Sequence, residues 1–394
     1  MSSITTPPIA GGHLNVDEAV RHRYSRAAVE TEQQLCCPVT YDPKLLDVLP
    51  IEILERDYGC GDPSKYVCEG EVVLDLGAGA GKICYIAAQI VGESGKVLGV
   101  DCNDDMLALA RKHQSSVAKK LGYANVEFRK GKIQDLQLDL ELLDDYLAEN
   151  PVGNSGEFLK LQEHSLQLRQ KSPLISDDSI DVVISNCVLN LVHSEDRNQL
   201  FREVFRVLKR GGRAVIADIV SDEAVPLRLQ GDADLWSGCI SGAFREDRLL
   251  AAFEDAGFYG IEIVARESEP WAVVEGIEFR SLTVQAFKGK QGECLERNQA
   301  VIYNGPWKAV LDDDGHKLLR GQRMAVCDKA FKIYTRAPYQ GQITAVPPHQ
   351  LVPVEEAKEF PCSGPATRAA RVTKGDTGDL TILPEGDCCG PGQC

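Results

Sequence analysis

Fourteen cysteines stand in this chain of 394 residues. Three of them sit in glycine-flanked or polar contexts: Tyr58-Gly59-Cys60-Gly61, Ser185-Asn186-Cys187-Val188-Leu189-Asn190-Leu191 and Trp236-Ser237-Gly238-Cys239-Ile240-Ser241-Gly242-Ala243. Thiolates select soft centres over hard ones, so thiols that converge in space suit a thiophilic ligand; taken singly, each also fits a small buried hydrophobe. No two cysteines have C-x-x-C spacing, paired zinc-ligand patterns are absent, and the seven histidines show no metal spacing. Vicinal pairs occur at Cys36-Cys37 and Cys388-Cys389.

A second chemical feature is Asp75-Leu76-Gly77-Ala78-Gly79-Ala80-Gly81-Lys82, which ends a β-rich run and leads straight into a helical stretch. Glycines there let the backbone turn tightly and approach a ligand at a helix N-terminus. A P-loop would need glycine where Leu76 stands and Ser or Thr where Ile83 stands. A dinucleotide fingerprint would need a small residue where Lys82 stands. What remains is Asp-x-Gly-x-Gly-x-Gly with an acidic residue, Asp101, closing the next β-rich run, where it could grip two ribose hydroxyls.

The elements that must position these residues follow from periodicity. From Gly70 to about Lys288, β-rich runs at 71–76, 96–101, 126–129, 180–185, 214–218, 261–264 and 281–287 alternate with apolar residues at helical spacing over 82–90, 106–121, 196–209 and 247–256. That is an α/β domain with a mostly parallel, seven-stranded sheet. Ligands of such sheets bind beyond the carboxyl ends of the strands. Cys187 follows the fourth run directly and Cys239 lies about one loop beyond the fifth, so both are expected on the rim that carries the glycine loop. Residues 136–172 read as an insertion of two helices around Pro151, either a plain crossover or a lid. The expected organisation is an N-terminal segment over 1–69, the α/β domain over 70–290, a small β-rich domain over 291–349, and a disordered tail over 350–394 ending in CCGPGQC. The first 25 or so residues are expected to be loose as well.

The formal charge of −16 repels polyanions and argues against a nucleic-acid partner. No apolar run is long enough to span a membrane, and Met1 to Ser25 has no signal-peptide core. So many thiols in a long chain then point to a reducing, cytoplasmic setting.

The glycine loop, Asp75, Asp101 and the seven β-rich runs together resemble the S-adenosylmethionine-dependent methyltransferases with a Rossmann-like sheet. That resemblance implies that Asp75 approaches the methionine amino group and that the loop Gly131-Lys132-Ile133-Gln134-Asp135 edges the adenine. It also implies cofactor contacts from Tyr58, Gly77, Ala78, Gly79, Gly81, Met106, Ile133, Gln134 and Asn186. The three cysteine contexts, with Val301-Ile302-Tyr303-Asn304-Gly305 and the Cys-rich end, are similar to the arsenite S-adenosylmethionine methyltransferase family over roughly residues 30–345. This implies As(III) binding by Cys60, Cys187 and Cys239, with a fourth catalytic thiol at Cys36 or Cys37, taken as Cys37. It further implies a thiol reductant, glutathione or thioredoxin, that reopens a disulfide formed during turnover, and a role in arsenic detoxification. The expected partners are arsenite or its thiol conjugates and the reducing system, with the chain acting as a monomer. Arsenite is an uncharged trihydroxide in neutral water, which agrees with an acidic chain. Two rival readings predict different chemistry: a methyltransferase of another small molecule with incidental cysteines, or a non-catalytic metalloid-binding protein. Cys388, Cys389 and Cys394 either capture arsenic or relay thiols, or form a dispensable end; the other thiols, including Cys68, Cys84 and Cys102, are expected to be structural.

Overall fold

A computed structural model describes residues 15–32, 35, 39–56, 58–362 and 366–375. The chain divides into two compact units, Met1–Gly289 and Lys290–Cys394.

The first unit is built on β1 (Val72–Leu76), β2 (Lys96–Asp101), β3 (Val126–Lys130), β4 (Ile180–Asn186), β5 (Leu208–Ser221), β6 (Tyr259–Arg266) and β7 (Ile277–Phe287). Their order across the sheet is β3-β2-β1-β4-β5-β7-β6. The first five run parallel, and β7 is antiparallel to both β5 and β6. Two short strands, Phe244–Arg245 and Ala272–Val274, pair onto β5 and β7.

Strands buried on both faces explain why these runs are nearly continuous in Val, Ile and Leu rather than alternating with polar residues. Val73, Val182 and Ile184 pack into one core layer while Leu74, Leu76 and Val183 pack into the other, as a period of two requires. Because the chain leaves β1 for β2 on one side and later returns with β4 on the other, a crevice opens at the carboxyl ends of β1 and β4.

Helices α1 (Val16–Val29), α2 (Lys82–Val91), α3 (Asp104–Leu121), α4 (Leu140–Glu149), α5 (Ser155–Lys171), α6 (Arg197–Val207), α7 (Ala233–Ser237) and α8 (Glu246–Asp255) complete the part of this unit that concerns the site. Asn103 caps α3 by accepting from the amides of Asp105 and Met106, and Gly122 ends it in a left-handed conformation. The expected insertion is a helical hairpin, α4 and α5, capped by Asp139 and Asn154 and joined by a Tyr146–His164 ring stack at 3.8 Å. None of its helical residues is buried, whereas Leu136, Leu174 and Ile175 at its base are.

The expectation of a loose N-terminus is corrected from Asn15 onward. α1 packs on α3 and α7: Arg23 donates to the Asp234 carbonyl at 2.8 Å and to Ser237 Oγ at 3.1 Å, while Asn103 Nδ2 donates to the Arg21 carbonyl and Ser25 Oγ, each at 3.2 Å. A mostly polar helix that finds such partners is held by tertiary packing rather than by its own propensity.

The second unit has a three-stranded antiparallel sheet, Arg323–Ala325 with Ala300–Tyr303 with Ile343–Val346, and a hairpin of Ala309–Leu311 with Lys317–Leu319. The expected disorder from residue 350 is also corrected over its described part. Lys358–Glu359 pairs with Leu295–Glu296, and Ala370–Lys374 is helical. These segments are too short to show hydrophobic periodicity, and long-range pairing holds them instead. Cys388, Cys389 and Cys394 lie outside the described residues, as do Cys36 and Cys37. Among the described residues no helix is long and apolar enough to cross a membrane.

Candidate active site

The turn after β1 is built as its glycines require. Gly77, Gly79 and Gly81 have φ of 70°, 50° and 86°, values that L side chains adopt at a cost. The amide of Gly79 donates to Asp101 Oδ2 at 2.8 Å and that of Asn103 to Oδ1 at 2.8 Å, so the carboxylate closing β2 holds the loop. Asp75 is 2% exposed and accepts the Cys84 thiol at 3.1 Å; burial pushes its carboxyl up to about 7. Burial also raises Asp101, against the pull of three backbone amides.

Above this turn lies a cavity of about 720 Å³, a size that suits a small-molecule site, lined by Gly77, Gly79, Asp101, Met106, Ile133 and Gln134 and roofed by α1. A second cavity of about 70 Å³ is lined by Tyr58, Asp75, Gly77, Ala78, Gly79, Met106 and Asn186, and also by Cys187. Gly81 is the exception among the expected cofactor residues. It lines neither cavity, its amide donates to the Ala78 carbonyl at 2.8 Å, and a Cβ there would meet the Phe128 ring at 2.7 Å, so it serves helix packing.

Cys60, Cys187 and Cys239 share one buried cluster. The sulfurs of Cys60 and Cys187 and a carboxylate oxygen of Asp218 all lie within 4.8 Å of one another. Cys239 Sγ reaches the Cys187 carbonyl at 3.3 Å. Each thiol has its own positioning device. Cys187 directly follows β4, with its amide on the Ala217 carbonyl at 2.8 Å. Cys239 follows α7, with its amide on the Trp236 carbonyl at 3.0 Å. Both have left-handed backbones, φ 63° and 62°, which places each residue in a sparsely populated region. Cys60 is held by Asn186, whose Oδ1 accepts from the amides of Cys60 and Gly61 at 2.9 and 3.1 Å and whose Nδ2 donates to the Gly61 carbonyl at 2.7 Å. The glycines flanking Cys60 permit this approach: a Cβ on Gly59 would stand 2.1 Å from Asn186 Nδ2, and one on Gly61 2.7 Å from Ala217 Cβ.

The electrostatics keep Cys187 and Cys239 protonated. The Cys239 thiol favours ionisation of Cys187, but Cys60 and burial outweigh it and the Cys187 thiol is raised well above its ordinary value. Cys187 and burial raise Cys239 likewise, with Asp218 adding to the effect. Two neutral thiols suit an uncharged hydroxide better than a dication. Each sulfur–metalloid bond that forms sends the thiol proton away with a hydroxide as water, and no net charge is buried.

Residues 68–160 and 154–257 match a family model described as a methyltransferase domain, and residues 290–378 match one described as a domain of unknown function. An arsenite methyltransferase of Aquipseudomonas alcaligenes is 31% identical over 338 residues, covering 80% of this chain and 86% of that protein. The chain belongs to the arsenite methyltransferase family. The Mus musculus arsenite methyltransferase is 28% identical over 78% of this chain and 75% of its own length. Among solved structures, an arsenic (III) S-adenosylmethionine methyltransferase from Chlamydomonas reinhardtii superposes with a TM-score of 0.52 at 25% identity, covering 82% of this chain and all of that one.

Several residues of this family member's site were missed by sequence reasoning. Asp218, 1% exposed and three residues before the end of β5, accepts from the amides of Leu189 at 2.9 Å and Ile219 at 2.8 Å and from Asn190 Nδ2 at 2.8 Å. Burial pushes its carboxyl up to about 6 against these donors. Asn190 Nδ2 also reaches the Ile219 carbonyl at 2.6 Å, and its Oδ1 accepts from the Phe244 amide at 3.3 Å. Tyr24 on α1 lines both cavities, and burial with the nearby Cys239 and Cys187 raises its phenol. The only signal for Asp218 was an acidic residue closing an apolar run, as Asp101 does.

Proposed function

We propose that this chain transfers methyl groups from S-adenosylmethionine to trivalent arsenic held by Cys60, Cys187 and Cys239. The observation that carries this reading is that Cys187 lines the same small cavity as Asp75, Gly77 and Gly79 while its sulfur lies within 4.8 Å of that of Cys60. One thiol of the cluster, Cys187, and the glycine loop thus line one space.

The donor set of the crevice fits the cofactor. Asp75 would offer a carboxylate to the methionine ammonium, Asp101 would take the ribose hydroxyls, and Met106, Ile133 and Gln134, which line the larger cavity, would hold the adenine. When bound, S-adenosylmethionine supplies a methyl group on a positively charged sulfur. Arsenous acid condenses with three thiols, releasing three waters and leaving arsenic with a lone pair and no proton. The chain therefore needs no general base for the transfer itself, and its contribution is positioning, worth up to about 7–11 kcal/mol when alignment is good. Methylation takes arsenic from the trivalent to the pentavalent state. Two cysteine sulfurs leaving as a disulfide return two electrons to it, and an external thiol reductant, glutathione or thioredoxin, reopens the disulfide. Cys37 is the proposed fourth thiol. A cytoplasmic role in arsenic detoxification, as a monomer and without a membrane partner, belongs to the same proposal, as does the lack of a nucleic-acid partner, which the net charge of −16 supports.

Incubation with arsenite, S-adenosylmethionine and glutathione, followed by chromatographic speciation, is expected to yield methylated arsenicals. Cys187→Ser and Cys239→Ser are each expected to give none from arsenite or from methylarsenite. Retained turnover of both substrates by either variant overturns the assignment.

A further inference from the structure

The second unit contains another convergence of thiols. Cys294, Cys327 and Cys362 are far apart in sequence, yet their sulfurs all lie within 4.8 Å of one another. All three are free cysteines. The fold builds the group from three directions. The ladder of Leu295–Glu296 with Lys358–Glu359 is extended by the amide of Phe360 donating to the Cys294 carbonyl at 2.7 Å, which sets Cys362 beside Cys294. Cys327 precedes the helix Asp328–Tyr334 and its sulfur accepts from the Ala330 amide at 3.3 Å. Cys327 is buried while Cys294 and Cys362 are half-buried, so the group is anchored on one side and reachable on the other.

Among the described residues, no histidine or carboxylate joins this group. Structural zinc is nearly always four-coordinate, one ligand more than the three sulfurs the described residues supply. A trivalent metalloid makes three bonds and keeps a lone pair, which matches the three sulfurs brought together here. We propose that Cys294, Cys327 and Cys362 form a second binding site for trivalent arsenic, separate from the methyl-transfer cluster.

Formation balances without an oxidant: one arsenous acid and three thiols give three arsenic–sulfur bonds and three waters. The charge environment differs from that of the first cluster. Against the effect of burial, hydrogen bonds from Cys362 and Cys327, and Lys329 nearby, hold the Cys294 thiol below its ordinary value, while burial pushes Cys362 up to about 12. The site needs no S-adenosylmethionine, so it stands or falls apart from the catalytic reading.

The test is residue-resolved alkylation of the full-length, reduced chain with iodoacetamide, with and without arsenite and in the absence of S-adenosylmethionine, read by peptide mass spectrometry. Arsenite is expected to protect Cys294 and Cys362 together. Cys327→Ser is expected to abolish that protection while Cys187 and Cys239 behave as in the parent chain. Cys362→Ser, altered at the half-buried edge where folding is least at risk, is expected to lose protection at Cys294 and to lower the arsenic retained after gel filtration by one equivalent. The proposal is overturned if Cys294 and Cys362 alkylate equally fast with and without arsenite. It is also overturned if protection survives Cys327→Ser, or if zinc protects the three thiols and arsenite does not.

Discussion

Asn186 Oδ1 accepts the backbone N–H of Cys60 at 2.9 Å, so the last residue of β4 sets the position of a thiol on a separate segment, next to the thiol that follows it in sequence. One side chain thereby fixes the spacing of Cys60 relative to Cys187. Asn186→Ala leaves two amides of the Cys60 loop without this acceptor and frees the loop to move. A misplacement of about 1 Å is worth about 10²-fold in rate, so kcat for arsenite is expected to fall by about that factor. S-adenosylmethionine affinity, measured by titration calorimetry, is expected to fall as well, because Asn186 also lines the small cavity shared with Asp75 and Gly77.

The glycines of the two loops should respond differently to one added methyl. At Gly79, φ is 50° and nothing lies within 4 Å of the position a Cβ would take. Gly79→Ala therefore costs only the left-handed penalty of about 1–2 kcal/mol, but it places a methyl where both cavities open, and S-adenosylmethionine binding should weaken. Gly59→Ala meets Asn186 instead and should impair arsenite turnover more than it weakens S-adenosylmethionine binding. Thermal melts and paired Kd measurements separate the two outcomes.

The carboxyl of Asp75 has its midpoint raised by burial to about 7. A cationic ligand group beside it requires the carboxylate, and below that midpoint binding must first expel a proton. The apparent Kd for S-adenosylmethionine is expected to be flat above about pH 7 and to rise as pH falls, approaching tenfold per unit. Asp75→Asn should remove the slope while weakening binding in the flat region, which calorimetry across this range will show.

Asp218 is a hub of accepted hydrogen bonds. In Asp218→Asn the new amide N–H₂ faces donors, so at least one buried N–H loses its acceptor at a cost of about 1–3 kcal/mol. The melting temperature should drop by several degrees. Turnover at a temperature where the variant is folded should also fall, because Asn190 and the 189–191 turn that follows Cys187 lose their anchor.

Much of the scaffold was legible because its signals are local. Buried parallel strands write themselves as short Val, Ile and Leu runs, and the Asp75–Gly81 turn with Asp101 carries its spacing within about one βαβ unit. Cys187 and Cys239 could be assigned to one rim because each follows a strand that ends there. Contacts between distant segments were not legible. Asp218 and Asn190 come from different strand ends and share no spacing. The α1 helix has too weak an apolar stripe to announce that it roofs the crevice. Cys294, Cys327 and Cys362 look like scattered single thiols until the Leu295–Glu296 ladder closes. Gly81 shows the converse limit, since a glycine inside a ligand-binding motif can be present for a phenylalanine ring.

The left-handed backbones of Cys187 and Cys239 set stability against chemistry in this chain. Glycine at either position would relieve a strained φ, at a gain of about 1 kcal/mol from conformation alone, and would also remove a sulfur. Because both side chains are buried, the lost packing opposes that gain, and backbone strain alone gives selection for heat resistance little reason to replace the two thiols that the proposed reaction needs.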